Sequence, residues 1–487
     1  FKPLFSCSFS QNLTTSFIRI VMISALGSVQ YGYNLWVIYS PTVLIQDFYN
    51  LTYVKLPVHN EEQYEIFMLG VTVSLFPLGG VIGALVVGPL VDSCGRKGTL
   101  LINSFFSMVA SMFMVCASMI HSYAFTMFAR FLIGISIGVF STVIPMYLGE
   151  ISPLNLRGII GVLPHLSLTV GVTVAQVLAF REVMGTQEGW PILMSLSGIL
   201  ALFQAIIVPS FPESPRYLLI QKKDEDKARE ALKKLWHKDD VDNEMEEIRQ
   251  EVPPDKEDRP MNALKLLCYR NLQWQVFSVI ILMCGQQLSG INAVYFYTER
   301  TYLSTGIGKD SVRYITLVST ILLFIALLLV VSFFHLFSLK TPSVLKGMAL
   351  LQITTLPWMS YINTCIINFY IIAHTIGPSS LPNLIITELF LQSSRSSAFV
   401  IGGCIHWLLN FLTIVTFINI QKYTGPYVFL ICCPICCGSL MYILKVVPET
   451  KGKTFLEIKR NIPMYVHKKK IRNKKSSRRK VFGKHIV

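Results

Sequence analysis

Residues 123–147 read YAFTMFARFLIGISIGVFSTVIPMY, twenty-five positions with one charged side chain, Arg130. Coiled as an α-helix at about 1.5 Å per residue, such a run exceeds the ~30 Å hydrocarbon core of a bilayer. Its apolar residues run on continuously instead of alternating, which argues against the strand of a membrane barrel. Outward from it, comparable blocks lie near 18–40, 66–91, 99–120, 159–180 and 190–211. A charged stretch over 212–273 follows, then blocks near 274–298, 313–338, 361–386, 398–418 and 427–447. The count is six blocks, a loop, then five. Only 15% of the 487 residues are charged, against roughly 25% in soluble domains, and mean hydropathy is +0.52. The expected fold is an all-α polytopic membrane protein.

The net charge of +15 would suggest a nucleic-acid partner if it were spread over a folded surface. Ten lysines and arginines instead crowd between Lys468 and Lys484, with no acid among them. A basic tail after a last span fits the anionic lipid of a cytoplasmic leaflet, and no stacking or groove-reading module accompanies it. The expected partners are membrane lipid and a substrate, with no nucleic acid and a monomeric chain. Arg96, Lys97, Arg157, Arg395 and the lysines of 222–238 mark the same side as cytoplasmic by the positive-inside rule. The loop 41–65 holds Asp47, Glu61, Glu62 and Glu65 against Lys55 alone, and contains the sequon Asn50-Leu51-Thr52. Asn50 is therefore expected to be glycosylated and extracellular, with both termini in the cytoplasm of a plasma-membrane protein. Endoglycosidase treatment is expected to raise gel mobility, and unchanged mobility counts against this topology. Cys432, Cys433, Cys436 and Cys437 mimic a metal spacing. With no histidine nearby in an apolar run, they read as small packing residues, so no metal or cofactor is expected. The first span reads as the insertion signal.

The two sides of the charged stretch echo one another. Glu150 and Arg157 recur as Glu388 and Arg395 at an offset of 238, and Pro212-Glu213-Ser214 recurs as Pro448-Glu449-Thr450 at 236. Parallel repeats of six spans, with the substrate site between them, are the major facilitator plan. The expected divisions are an N-terminal bundle 1–211, a cytoplasmic helical linker 212–273, a C-terminal bundle 274–447 and a basic tail 448–487. Within the linker, Ala228, Ala231, Leu232, Leu235 and Trp236 fall on one helical face. The ninth span is defective: residues 339–358 must cross, yet carry Lys340 and Lys346 and are interrupted by Pro342 and Pro357. A lysine near mid-bilayer costs roughly 2.5–3.5 kcal/mol on insertion scales.

Asp92, Arg96 and Lys97 sit between spans 2 and 3. Paired acids and cations at helix ends can latch two rocking bundles and release them. Glu150 with Arg157, Glu388 with Arg395, and Arg130, Glu213 and Arg216 are assigned the same gating role. Plain positive-inside anchoring explains the cations but not the acids.

Gly95-Arg96-Lys97, Arg130 with Gly134 and Gly138, Pro212-Glu213-Ser214-Pro215-Arg216, Gln286-Gln287-Leu288-Ser289-Gly290-Ile291-Asn292 and Pro448-Glu449-Thr450 resemble the facilitative hexose transporters of the sugar porter family. Gln30-Tyr31-Gly32-Tyr33-Asn34 and Phe390-Leu391-Gln392-Ser393-Ser394-Arg395 look most similar to its fructose-transporting branch. A hexose needs amides and hydroxyls that both donate and accept, with an aromatic ring against its apolar face. Gln286, Gln287 and Asn292 supply such groups within two helical turns, and interhelical packing is the alternative use of them. The resemblance implies that these three contact the sugar together with Tyr31, Trp407 and Asn410. His165 stands where the family has a glutamine, and Leu323 lies near the place of an asparagine. His374 and Gly377-Pro378 follow the fructose branch, while Ser380 replaces a second proline, which predicts a stiffer span 10.

Proton-coupled relatives place an aspartate in the first span, whereas residues 18–40 hold no acid. The expected function is therefore passive uniport of fructose, glucose or both by alternating access, with no enzymatic activity. The alternative is a degenerate or splice-altered member without transport, which the ninth-span composition favours.

Overall fold

The computed structural model describes residues 14–38, 61–120, 122–153, 156–180, 182–250, 261–270, 272–292, 294, 309–332, 359–424 and 428–447. Asn50, the stretch 339–358 and the basic tail lie outside the described residues.

Every regular element among the described residues is helical. Before the charged stretch these are α1 (Thr15–Ser24), α2 (Leu26–Trp36), α3 (Glu61–Ile120), α4 (Tyr123–Ile151), α5 (Arg157–Leu178), α6 (Trp190–Ser195) and α7 (Ser197–Ile207). The charged stretch forms α8 (Glu225–Trp236), α9 (Asp242–Gln250) and α10 (Ala263–Cys268). After it come α11 (Gln273–Gln287), α12 (Lys309–Ser332), α13 (Met359–His374), α14 (Leu381–Leu389), α15 (Gln392–Thr424) and α16 (Val428–Val446). Among the described residues, six stretches are long and apolar enough to cross a membrane: Gly70–Ala117, Tyr123–Ile151, Arg157–Leu178, Trp190–Ser210, Val312–Leu329 and Gln392–Thr416. The first holds two passes. Its backbone breaks at Gly95 (φ 77°, ψ −177°), a conformation that side chains with a Cβ adopt at a cost.

Two passes expected as continuous are divided. Ala25 separates α1 from α2 in the first span. In span 10 a widened turn, Thr375–Ser379, joins α13 to α14. Pro378 lacks an N–H and its ring crowds the carbonyl four residues back. An extra residue in the turn relieves both problems.

Helices approach closely where glycines face backbone. A Cβ on Gly79 would lie 2.2 Å from the Phe131 carbonyl oxygen, and one on Gly134 would lie 2.1 Å from that of Phe76. These two glycines set the spacing of the first pass of α3 against α4, since small residues are what let membrane helices touch.

The linker folds by soluble rules. Asp224 caps α8 by accepting from the Lys227 N–H at 3.1 Å, acids occupy its first turn and lysines its last, and His237 ends it in the left-handed region. The five residues it buries are the predicted face: Ala228, Ala231, Leu232, Leu235 and Trp236. That face docks on the start of α1. Trp236 stacks on Phe17 at 5.1 Å, and the Thr14 hydroxyl donates to the Leu235 carbonyl at 2.7 Å. Thr14 also caps α1 by accepting from the Phe17 N–H. One side chain thus finishes two helices.

Candidate functional site: a polar cavity and a buried ion cluster

The helices surround a cavity of about 1450 Å³, counting its open part. All eight residues expected to bind substrate line it: Tyr31 from α2, His165 from α5, Gln286 and Gln287 from α11, Asn292 just beyond, His374 from α13, and Trp407 and Asn410 from α15. They come from both sides of the linker in sequence. No acid, lysine or arginine is among the described lining residues.

Local structure explains how span 7 presents its amides. α11 ends at Gln287, and Gly290 turns the chain at φ 88°. The break brings Asn292 back so that its amide donates to Gln287 Oε1 at 2.6 Å. Gln287 Nε2 in turn lies 2.8 Å from His406 Nδ1, and Gln286 Oε1 lies 3.3 Å from the same nitrogen. Gln286 Nε2 donates to the Ser379 carbonyl at 3.2 Å, and His374 Nε2 lies 3.1 Å from the Gln286 carbonyl oxygen. The widened turn of span 10 thereby serves as an anchor for the span 7 amides.

The aromatic wall is Trp407. Its indole is fully buried, lies 5.5 Å from the Tyr31 ring, and donates to Ser141 Oγ on α4 at 3.2 Å. Gly80 makes the room, because a Cβ there would sit 2.4 Å from the indole.

Sequence reasoning missed His406, Asn383, Ser141 and Thr142, which also line the cavity. His406 is the hub, reaching Gln286, Gln287 and, at 3.5 Å, the Tyr31 hydroxyl. A polar residue in an apolar span beside a singled-out tryptophan was the available signal. Other amides are used for packing. Gln30 donates to Gln204 at 2.9 Å and accepts from Ser107, and Asn34 donates back to the Gln30 carbonyl. Asn34 is not among the described residues that line the cavity.

The expected gating residues gather at the linker side, with one exception. The Glu150 carboxylate, 2% exposed, accepts from Arg96 Nη2 at 2.8 Å on Oε1 and from the Ser214 hydroxyl at 2.5 Å on Oε2. Oε1 also accepts from the Gln392 amide at 2.8 Å, and Gln392 Oε1 accepts from Arg395 Nη1 at 2.7 Å. Arg216 Nη1 donates to the Glu150 carbonyl at 2.5 Å. Glu213 Oε1 takes the backbone N–H groups of Arg96 and Lys97 at 3.0 and 3.2 Å. Burial pushes the Glu213 carboxyl above its ordinary range, partly offset by the Ser214 and Lys97 N–H groups and by Arg96. The Lys97 ammonium reaches the Pro209 carbonyl at 2.7 Å. Asp92 lies close to Ser396, the fifth residue of α15. Arg157 opens α5 and Glu388 lies near the end of α14, two helices that pack together.

Arg130 is the exception by position. It sits twenty residues before Glu150 on α4, about 30 Å away along the helix. There it donates to the Asn34 carbonyl at 3.0 Å and lies over the Phe76 ring at 4.7 Å.

The family described as "Sugar (and other) transporter" matches residues 20–462 of this chain. The human solute carrier family 2, facilitated glucose transporter member 5 is 46% identical over 462 residues, covering 92% of each chain. Human member 7 is 40% identical over 461 residues, covering 92% of this chain and 90% of that one. Among solved structures, the major facilitator proton:xylose symporter XylE bound to 6-bromo-6-deoxy-D-glucose matches with a TM-score of 0.76 at 19% identity, over 92% of this chain and 100% of the other. The inward open conformation of XylE from E. coli matches with a TM-score of 0.66 at 19% identity, over 92% and 100%. That likeness gives the fold, a major facilitator fold, and the sequence matches give the membership: this chain belongs to the sugar transporter family.

Proposed function

We propose that this protein is a facilitative hexose uniporter of the plasma membrane, carrying fructose, glucose or both by alternating access. The observation that carries the reading is the uncharged cavity. Amides, imidazoles and two tryptophans, Trp36 and Trp407, converge on it from helices on both sides of the linker. Such a lining satisfies the hydroxyls of a neutral sugar and offers a ring to its apolar face, and rocking of the two sets of helices would expose it alternately to each side. Tyr31, His165, Gln286, Gln287, Asn292, His374, Trp407 and Asn410 are the proposed sugar contacts. The relatives' names say facilitated glucose transporter, and residues 18–40 contain no acid to relay a proton.

On this reading, residues 1–211 and 274–447 are the two bundles and 212–273 the cytoplasmic linker. Both termini are cytoplasmic, the tail 448–487 rests on anionic lipid, and the unit is a monomer. The cluster around Glu150 is the inner gate. A non-transporting member is the second reading, favoured by the two lysines and two prolines of residues 339–358.

Uptake of labelled D-fructose and D-glucose into proteoliposomes tests both. Saturable uptake that halts at equal concentrations and ignores an imposed proton gradient is the expected result. Accumulation driven by the gradient would overturn uniport. No uptake by protein that still binds sugar would establish the second reading.

A further inference from the structure

We infer that Gln392 is the positioning residue that joins the two sets of helices at the Glu150 cluster, and that it does so because it is an amide; this rests on reading the cluster as a gate. Gln392 is the first residue of α15 and is 2% exposed. Both ends of its side chain are used. The NH₂ donates to Glu150 Oε1 at 2.8 Å, across 242 residues of sequence. The oxygen accepts from Arg395 Nη1 at 2.7 Å.

The remaining hydrogen bonds of that carboxylate come from Arg96 and Ser214, which precede α11 in sequence. Gln392 therefore carries the link to the C-terminal helices. Arg395 acts on Glu150 by charge and by fixing which end of the amide faces the acid. A glutamate at 392 could accept from Arg395 but would set a second carboxylate against Glu150. A lysine or arginine could donate to Glu150 but would repel Arg395. A neutral group that donates at one end and accepts at the other is the chemistry required. The repeat offers no second copy, since the residue at offset 238 is Leu154. The link is a one-sided device.

The inference gives the closed inner side a specific dependence. Gln392→Glu introduces like charges in a buried site, which favours the state in which the two carboxylates separate. Glu150→Gln combined with Gln392→Glu exchanges the two groups. One acid and one amide again meet. The new amide at 150 can donate to the new carboxylate at 392, which accepts from Arg395. Arg96, which shares Oε1 of Glu150 with Gln392, keeps Gln221 Oε1 as its acceptor.

The test reads opening directly, without sugar. Thr387 is 4% exposed and lies against Gly149 between α14 and α4. A Thr387→Cys reporter, with other reactive cysteines replaced, is labelled by a maleimide on the linker side of full-length protein in proteoliposomes. Gln392→Glu is expected to speed labelling about tenfold, and the exchanged pair to return it to within about threefold of the parent. Gln392→Met, which keeps length without polarity, is expected to fall between them. Labelling unchanged by Gln392→Glu, or an exchanged pair as fast as Gln392→Glu alone, would overturn the inference. Should Gln392→Glu not fold, the exchanged pair decides: its recovery of folded protein with slow labelling supports the link, and its failure overturns it. Sugar uptake measured in parallel keeps the two readings apart. Absent uptake in the parent, with labelling that still follows the 150–392 pairing, would count against hexose transport and leave this link standing.

Discussion

Gly32→Ala is expected to lower the thermal midpoint of the detergent-solubilised protein sharply, and Gly32→Val to abolish recovery of folded protein. α2 and α5 meet backbone to backbone. A Cβ on Gly32 would lie 1.9 Å from the Leu168 carbonyl oxygen, and one on Gly171 would lie 2.0 Å from that of Val29. No rotamer relieves a clash with backbone, so the helices must part. Overpacking of this kind costs about 1–3 kcal/mol or more. The same movement shifts Tyr31, next to Gly32, and His165, Thr169 and Val172 on α5, all of which line the cavity. Gly438→Ala is the control, because a Cβ there meets nothing within 4 Å. It should leave stability unchanged or raise it by about 0.5–1 kcal/mol through helix propensity. Equal midpoints for Gly32→Ala and the parent would show that α2 and α5 can separate freely.

Gln287→Ala is expected to weaken hexose binding by about 10–100-fold while leaving the protein folded. The loss has two parts. The side chain is itself a proposed sugar contact, and each hydrogen bond lost to a buried polar partner costs about 1–3 kcal/mol, with about 1.4 kcal/mol per tenfold in affinity. It also holds Asn292 at 2.6 Å and His406 at 2.8 Å, so both partners lose their orientation together. Asn292→Ala should therefore resemble it in direction with a smaller effect. Sugar-dependent quenching of tryptophan fluorescence, with Trp407 in the cavity wall, is the measurement. Parent-like affinity in a well-expressed Gln287→Ala protein would move these amides to a packing role, like that of Gln30 and Gln204.

The sequence alone determined that this chain is a bundle of membrane helices, and it singled out eight side chains that line the cavity. Apolar runs leave a chain little choice in lipid, where every backbone group must be satisfied within its own helix. Polar amides in such runs are costly enough that their presence signals use. The buried face of α8 was equally legible, since amphipathic spacing is a property of one helix.

What sequence left undecided depends on contacts between elements far apart in the chain. Gln30 and Gln287 are the same residue type in comparable spans, yet one packs against Gln204 and the other lines the cavity. Arg130 and Arg96 carry the same charge, but only Arg96 reaches Glu150. His406 was hidden beside Trp407, and Gln392 within a motif quoted for its family resemblance. The widened turn at Thr375–Ser379 reflects how one proline is accommodated, and that Gln286 donates to the Ser379 carbonyl there is settled only by packing. Composition and spacing are one-dimensional and fix what each helix can bury. Which buried group finds a donor, an acceptor or empty space is set by distance between helices, and that is decided only when they pack.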